Sequence, residues 1–494
     1  MIDIFAMKSY TIKNRHIFVM VLHLQGREAV LMYFNAGNFF SRMENKRIDV
    51  IGFGVSNSEL VFRLAESGAQ VKLHDKRNAD QLRPEQLTRL KSLGVALSLG
   101  NGYLDDLDGE IIFRTPGMPF TTPALEKARQ QGKIVTSELE VFMQLCPCPV
   151  YGITGSDGKT TTSSLIAAML EKSGRRVHLG GNIGKPLLTI LDKVQHNDIC
   201  VVELSSFQLL SMRCSPDVAV VTNISPNHLD VHKDMAEYVG AKRNIVRHQG
   251  AFSKTVLSAD NDGSLAFADE VRGKLSLFSR RHEVTDGAWM DDNGDIWHST
   301  CGRAVKLFNR RDIKLPGMHN VENILTAIAA VWGDVSPKSI CEAACEFGGV
   351  EHRIEFVREK AGVRWYNDSI ATSPSRMIAG LLSFEQKLIV IAGGYDKNIP
   401  FEPMVGPVIN KVKTLILTGA TADKIEAAVK AGKGFEESGI KILRAEDIAA
   451  AVKLADSEAS SGDIVTLSPA CASFDAFANF EQRGIYYKKL VNEL

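Results

Sequence analysis

The stretch from Val150 to Leu165, VYGITGSDGKTTTSSL, passes from an apolar strand to a helix through a turn that holds two glycines and a lysine. A strand that breaks sharply into a helix belongs to an α/β unit, and it brings the helix N-terminus to the carboxyl end of the strand. The side chains in between suit a phosphate. Gly155 and Gly158 let the backbone curl so that N–H groups converge, with Ser156 and Asp157 between them, and Lys159 adds a point charge. Thr160 can place a hydroxyl on Mg²⁺, and the helix dipole favours the same anion. The widespread phosphate-loop pattern has a further glycine five positions before Gly158, where this chain has Ile153. On this segment alone, a glycine-rich turn with a chance Lys-Thr remains open as the alternative.

A chain of 494 residues exceeds one ordinary core, and about three domains is the natural expectation. Its 58 basic residues balance 58 acidic ones, which leaves no electrostatic footprint for nucleic acid or an anionic membrane. Anionic ligands must then be gripped by local groups. The 8 cysteines show no paired spacing of a zinc site, so Cys146 with Cys148, and Cys341 with Cys345, read as packing residues in a reducing, cytoplasmic setting. Residues 1–42 carry a basic, partly apolar start that ends too early for a signal peptide, and no later run is long enough to insert in a membrane. They read as an extension outside the folded core, with Met43 just before the first clear strand and full activity expected of a chain that starts there.

Residues 43–137 read as a Rossmann-like domain. Arg47–Ile51 forms a strand, the GFG turn follows, and the next strand ends in Asp75 about twenty residues on. Asn57 stands where a dinucleotide fingerprint has its third glycine, so a nicotinamide dehydrogenase is a poor reading. In residues 138–349 apolar strands alternate with polar loops, as in a parallel sheet covered on both faces, whose ligands bind beyond the strands' carboxyl ends. That rule brings Asn182, Glu203 and His228 together at the phosphate loop. Lys242 by itself reads as a surface lysine, residues 251–312 as turn-rich with short strands, and Asn320 and Asn323 as the first turns of a helix able to meet a purine edge. Residues 350–494 form a second Rossmann-like domain whose edge is lined by Asp368, Lys397 and Ser473.

The segments GITGSDGKTTT (152–162), GGNIG (180–184), ELSSFQL (203–209), NISPNHLD (223–230), HNVENILTA (319–327), EHRIE (351–355), NDSIATSP (367–374), GGYDK (393–397) and LSPACASFDAFANFEQRG (467–484) together resemble the Mur ligases. ELSSFQL and the long C-terminal run resemble the D-glutamate-adding members. The resemblance implies three α/β domains: a UDP-binding Rossmann-like domain, a central P-loop ATPase-like domain and a C-terminal domain for the amino acid. It implies ATP-driven amide formation in the cytoplasm by a monomer. D-glutamate would join UDP-N-acetylmuramoyl-L-alanine through an acyl phosphate, with ATP and Mg²⁺ required.

By the same resemblance Lys159, Glu203, His228 and Lys242 are catalytic, and Gly155 through Thr161, with Asn323, Arg353 and Asp368, face ATP. Thr160 and Glu203 hold one Mg²⁺ and His228 a second, with Lys242 carbamylated so that it reaches the metal as a carboxylate. Val55, Ser56, Lys76, Arg77 and Thr115 hold the UDP, and Asn182 and Ser205 approach the muramoyl-alanine. Thr372, Lys397, Ser473, Phe474 and Phe480 form the D-glutamate pocket. The domains are expected to close on ligand, since Lys159 and Lys397 lie on different ones. Three departures stand out: Ile370 replaces the lysine of an NDSKATN run, Asn227 a common acid, and Asp157 the usual asparagine of the loop. The rival readings are another Mur or folylpolyglutamate ligase, and a nucleotide-binding scaffold without turnover.

Overall fold

In the computed structural model each glycine turn singled out above joins a strand to a helix at one end of a sheet. The structure describes residues 7–12, 15–20 and 32–494, apart from 185, 227–231 and 398. Strands Met7–Ile12, Arg15–Met20 and Met32–Phe34 pair antiparallel in a small sheet. The chain then turns inward. Phe39 and Phe40 are 5% and 7% exposed within the same core as Val50 and Leu60, and the Arg63 guanidinium covers the Phe40 ring at 4.8 Å. This end of the stretch expected to lie outside the core is therefore part of it, because two adjacent phenylalanines bury more apolar area than they cost to order.

The first five-stranded sheet has the order Ala96–Leu99, Gln70–Asp75, Arg47–Ile51, Ile111–Phe113, Ile134–Thr136, parallel throughout. The strand order reverses beside Arg47–Ile51, which opens the ligand crevice of such sheets between the Gly52 turn and Thr115. The nine-stranded central sheet has the order Val177–Gly181, Ile199–Glu203, Val150–Thr154, Val218–Val221, Lys254–Ser258, Lys274–Ser279, Gly287–Met290, Asp295–Thr300, Arg303–Asn309. It is parallel as far as Gly287–Met290, then turns back antiparallel. The turn-rich reading of 251–312 missed that these strands extend the central sheet. The signal was Asn293-Gly294, a hairpin pair whose Gly294 has φ of +81°.

Contacts divide the chain into two units. The first runs to Phe308 and takes up Glu322–Cys341; the second comprises Asn309–Val321 and Glu342–Leu494. The second holds a six-stranded sheet of order Glu355–Lys360, Val363–Asn367, Ile464–Leu467, Leu388–Ala392, Val412–Leu417, Lys441–Arg444, with only the first pair antiparallel. Among the described residues no helix is long and apolar enough to cross a membrane.

Candidate active site

The phosphate loop starts from Val150–Thr154, a strand buried along its whole length, and ends in the helix Lys159–Lys172. Both glycines are demanded by shape. Gly155 has φ of +150°, and a Cβ there would come 1.9 Å from Thr222 Oγ1. At Gly158, with φ of +77°, it would come 2.3 Å from Asn323 Oδ1. The side chain of Ser156 is spent on structure. Its hydroxyl donates to the Ser225 carbonyl at 2.9 Å, stands 2.9 Å from the Tyr238 hydroxyl and accepts the Ser225 N–H. Asp157 is exposed, while its main chain is pinned: the N–H donates to Asn223 Oδ1 at 3.0 Å, and the carbonyl accepts the Thr222 hydroxyl at 2.6 Å. Lys159 folds back over the loop, donating to the Gly155 and Ser156 carbonyls at 2.9 Å each. Thr161 is half-buried on the first helical turn.

Strand ends deliver the other groups, as the parallel-sheet rule requires. Glu203 closes Ile199–Glu203 and is 2% exposed. Its Oε2 accepts the Thr160 hydroxyl at 2.8 Å and its Oε1 the Asn182 amide at 2.9 Å. A hydroxyl and a carboxylate in contact beside a phosphate loop form a hard-oxygen set suited to Mg²⁺, so these residues fit the expected metal. Asn323 is buried and accepts the Thr162 hydroxyl at 3.3 Å. Ser205 begins a helix. Its hydroxyl and N–H are tied to Gln208 in a capping box that starts the helix Ser206–Leu209. His228 lies outside the described residues. A histidine not singled out in the sequence, His232, is buried nearby, stacked on Phe207 at 4.9 Å with Nε2 2.8 Å from the Ser206 hydroxyl.

Lys242 is the largest surprise of the site. It is 2% exposed, on the helix Met235–Arg247, and donates to Thr154 Oγ1 at 3.1 Å and the Gly155 carbonyl at 2.9 Å. Burial pushes it down to about 7; the charge of Lys159 acts the same way, and Glu203 and Asp157 oppose. Tyr238, one turn before Lys242, presents its ring 4.9 Å from the ammonium while its hydroxyl reaches Ser156. The i, i+4 spacing of Tyr238 and Lys242 was the sequence signal that one helix face docks on the loop.

In the first sheet, Asp75 does not stand free for a ribose hydroxyl. Its Oδ2 accepts the Phe53 N–H at 2.7 Å, and both oxygens accept the Arg77 guanidinium at 2.8 and 2.9 Å. Burial alone would raise this carboxyl, but the hydrogen bonds from Arg77 and Phe53 hold it below its usual range. The crevice therefore shows a guanidinium and the exposed Lys76 rather than an acid, which argues against a dehydrogenase. Ser56 lies half-buried on the first turn of the helix Val55–Glu66, and Thr115 packs under Gly52; the side chain of Val55 lies outside the described residues. Asn57 is buried and donates to the Ile51 carbonyl at 2.9 Å, a helix-to-strand tie in place of the close approach a third glycine gives.

In the second unit, two cations reach one loop. Lys397 Nζ donates to the Thr372 carbonyl at 3.3 Å, and Arg376 Nη1 to the Ile370 carbonyl at 3.1 Å; both residues are exposed. Arg376 went unnoticed in the sequence, six positions past the missing lysine. Phe474 is 63% exposed, with its ring edge-on to Tyr395 at 5.8 Å, whereas Ser473 is buried beneath it. Phe480 opens the last helix, edge-on to His352 at 6.0 Å. Asp368, expected at the sheet's edge, is instead enclosed. It accepts the Ser468 hydroxyl at 2.9 Å and the Ile354 N–H at 3.3 Å, and burial pushes it up to about 7. Arg353 is exposed on a turn whose His352 and Ile354 both adopt positive φ, 64° and 43°. Left-handed non-glycine residues are costly and persist where surrounding structure holds them. Arg483, also missed, is 2% exposed and ties the Ser369 and Cys471 carbonyls together at 2.9 and 3.1 Å.

The chain matches the Mur ligase middle domain over residues 153–331 and the Mur ligase glutamate ligase domain over 352–471. It is 48% identical over 464 residues to the UDP-N-acetylmuramoylalanine–D-glutamate ligase of Acetivibrio thermocellus, covering 92% of this chain and 98% of the relative. The ligase of the same name from Clostridium kluyveri is 46% identical, with 93% and 99% covered. Among solved structures, the UDP-N-acetylmuramate–alanine ligase of Thermotoga maritima superposes with a TM-score of 0.53 at 18% identity, covering 91% of this chain and 98% of that one. A UDP-N-acetylmuramoyl-L-alanyl-D-glutamate–2,6-diaminopimelate ligase gives 0.55 at 19%, with 92% and 93% covered. At such identities the structural likeness is one of fold.

Proposed function

Since the chain belongs to the Mur ligase family, we propose that it forms the amide between D-glutamate and UDP-N-acetylmuramoyl-L-alanine at the expense of ATP. The observation that carries the chemistry is the constellation at one end of the central sheet: Lys159 on the loop, Thr160 and Asn182 on the two oxygens of Glu203, and Lys242 buried beneath. A carboxylate is a poor electrophile. Its oxygen attacks the γ-phosphorus of ATP, ADP leaves, and the resulting acyl phosphate gives the amine of D-glutamate a carbonyl carbon it can attack, with phosphate departing.

Each residue has a part in that sequence. Lys159 and the loop N–H groups neutralise and align the phosphates, which is most of what phosphoryl transfer needs. Bound Mg²⁺ would screen the charge that develops on the phosphoryl oxygens. Thr160 and Glu203 would hold it, His228 would hold a second, and a carbamylated Lys242 would reach toward the metal as a carboxylate. Asn182 keeps the Glu203 carboxylate turned toward Thr160. Asn323 and Arg353 serve the nucleotide. Arg77, Lys76, Ser56 and Thr115 grip the UDP, and Lys397, Thr372, Phe474 and Phe480 the D-glutamate, while Ser473 and Asp368 shape the loops from beneath.

The test is phosphate release from ATP with UDP-N-acetylmuramoyl-L-alanine and a panel of amino acids. D-glutamate is expected to give turnover and L-glutamate, glycine and L-lysine none. Turnover with a different amino acid and none with D-glutamate would overturn the acceptor while leaving the ligase chemistry. ATP binding without any phosphate release would favour the scaffold.

A further inference from the structure

At the opposite end of the central sheet from the phosphate loop, three cysteines meet. Cys146 follows the helix Glu138–Leu145, Cys148 stands just before Val150–Thr154, and Cys200 is the second residue of Ile199–Glu203. The parallel register sets Cys200 beside Val150, and the Cys200 N–H donates to the Pro149 carbonyl at 3.0 Å, so the Cys-Pro-Cys turn folds over the Cys200 side chain. The three sulfurs form a nearly equilateral triangle, with edges of 3.7 Å (Cys146 to Cys148), 3.6 Å (Cys146 to Cys200) and 3.5 Å (Cys148 to Cys200). Cys148 and Cys200 are 7% and 0% exposed, and Cys146 is the half-buried vertex through which solvent reaches the group.

From this geometry we infer that Cys146, Cys148 and Cys200 form a binding site for one thiophilic divalent ion of the zinc class, unrelated to the Mg²⁺ of the reaction. A metal–sulfur bond of about 2.3 Å in a tetrahedral site sets neighbouring sulfurs about 3.8 Å apart, and in a planar three-coordinate site about 4.0 Å. The observed edges fall just below the first value, so an ion fits above the triangle with small movements and keeps a fourth position. Simple packing of small apolar side chains explains why cysteines are buried, but it sets no reason for three sulfurs to be mutually equidistant. A disulfide would join two and strand the third. His178, the neighbour of Cys200 on the next strand, stays outside the set, because its Nε2 is held by Asp198 at 2.8 Å.

Binding would convert three thiols to thiolates and release their protons to solvent, with no change of oxidation state. The ion would clamp the segment that leads from the first sheet into the phosphate-loop strand. Its role is structural: it lies at the amino ends of the strands whose carboxyl ends carry Gly155 and Glu203. The sequence hid this site, since Cys-Pro-Cys lacks the two-residue gap of common zinc motifs and Cys200 is 52 positions from Cys148.

The full-length chain, reduced and stripped with a chelator, is titrated with Co²⁺ in excess Mg²⁺, and sulfur-to-cobalt charge-transfer absorption is followed. One equivalent is expected to bind and to be displaced by Zn²⁺, with affinity lowered at least about 100-fold in Cys148→Ser and Cys200→Ser. In the unsubstituted chain, Zn²⁺ should protect Cys146, Cys148 and Cys200 from alkylation while the exposed Cys301 reacts as before. The inference is overturned by absence of the charge-transfer band, by equal affinity in Cys200→Ser, or by labelling of Cys146 that Zn²⁺ leaves unchanged. Mg²⁺-dependent phosphate release reads the ligase separately, so failure of either conclusion is recognisable without the other.

Discussion

Replacing Lys242 tests how the buried lysine contributes to catalysis. An ordinary lysine titrates at 10.5, whereas burial brings Lys242 to about 7. At pH 7 about half of its amine is neutral, against roughly 0.03% for an ordinary lysine, a gain of about three orders of magnitude in the form that can attack CO₂. The neutral amine attacks the carbon of CO₂, forms an N–C bond and sheds one N–H proton to solvent; with the proton already lost from the ammonium, two protons leave as a cation becomes a carboxylate. The same Lys159 charge that disfavours the ammonium favours the carbamate. The carbamate nitrogen keeps one N–H, so one of the two present bonds, to Thr154 Oγ1 or to the Gly155 carbonyl, must be given up. Lys242→Ala is expected to lower kcat on the order of 1,000-fold, the scale of losing an electrostatic anchor in a phosphoryl-transfer site. Acetate or formate should restore part of it, and Lys242→Arg should be equally impaired. In the wild type depleted of CO₂, re-activation by bicarbonate should gain with pH up to about 7 and level off above, whereas an unburied lysine would keep gaining toward 10.5. Full activity of Lys242→Ala, or activity indifferent to CO₂ removal, would refute the reasoning.

Two further outcomes follow from the second unit. Asp368 sits at about 7 against an ordinary 3.8, so the native state holds its proton more tightly than the unfolded chain, and stability falls as pH rises from about 4 through about 7. Asp368→Asn keeps the shape and removes that loss, worth up to about 4 kcal/mol, so its Tm should gain on the wild type as pH rises; parallel Tm profiles would count against this. Arg376 is placed to supply the cation that Ile370 cannot, and Arg376→Ala should raise KM for D-glutamate by about 10- to 100-fold, the scale of one charge-assisted hydrogen bond, with Tm unchanged. An unaltered KM would leave Lys397 as sufficient.

Local patterns carried much of the site. Strand, glycine turn, lysine and helix at 150–172 fix the phosphate loop because φ and steric limits act within a few residues, and the strand-end rule was enough to bring Asn182 and Glu203 to that loop, while the third residue it named, His228, lies outside the described residues. The Ser205 capping box and the Asn293-Gly294 hairpin are equally local.

What the tertiary structure alone decided is the environment of groups that look ordinary in sequence. Lys242 sits between Ala241 and Arg243 on an amphipathic helix, and its spacing from Tyr238 marks a shared helix face, but the burial of that face follows only from its docking on the loop. Asp368 comes just after the strand Val363–Asn367, near a strand end as Glu203 is, yet Ser468, a hundred residues away, closes over it. The cysteine triangle depends on the register between Ile199–Glu203 and Val150–Thr154. A one-residue slip would turn Cys200 to the other face of the sheet and leave only Cys146 and Cys148 together. Sequence sets backbone conformation and chemical inventory over short range; distances between groups far apart along the chain follow from how sheets pair and helices pack, and those set the pKa values and the possible ligands.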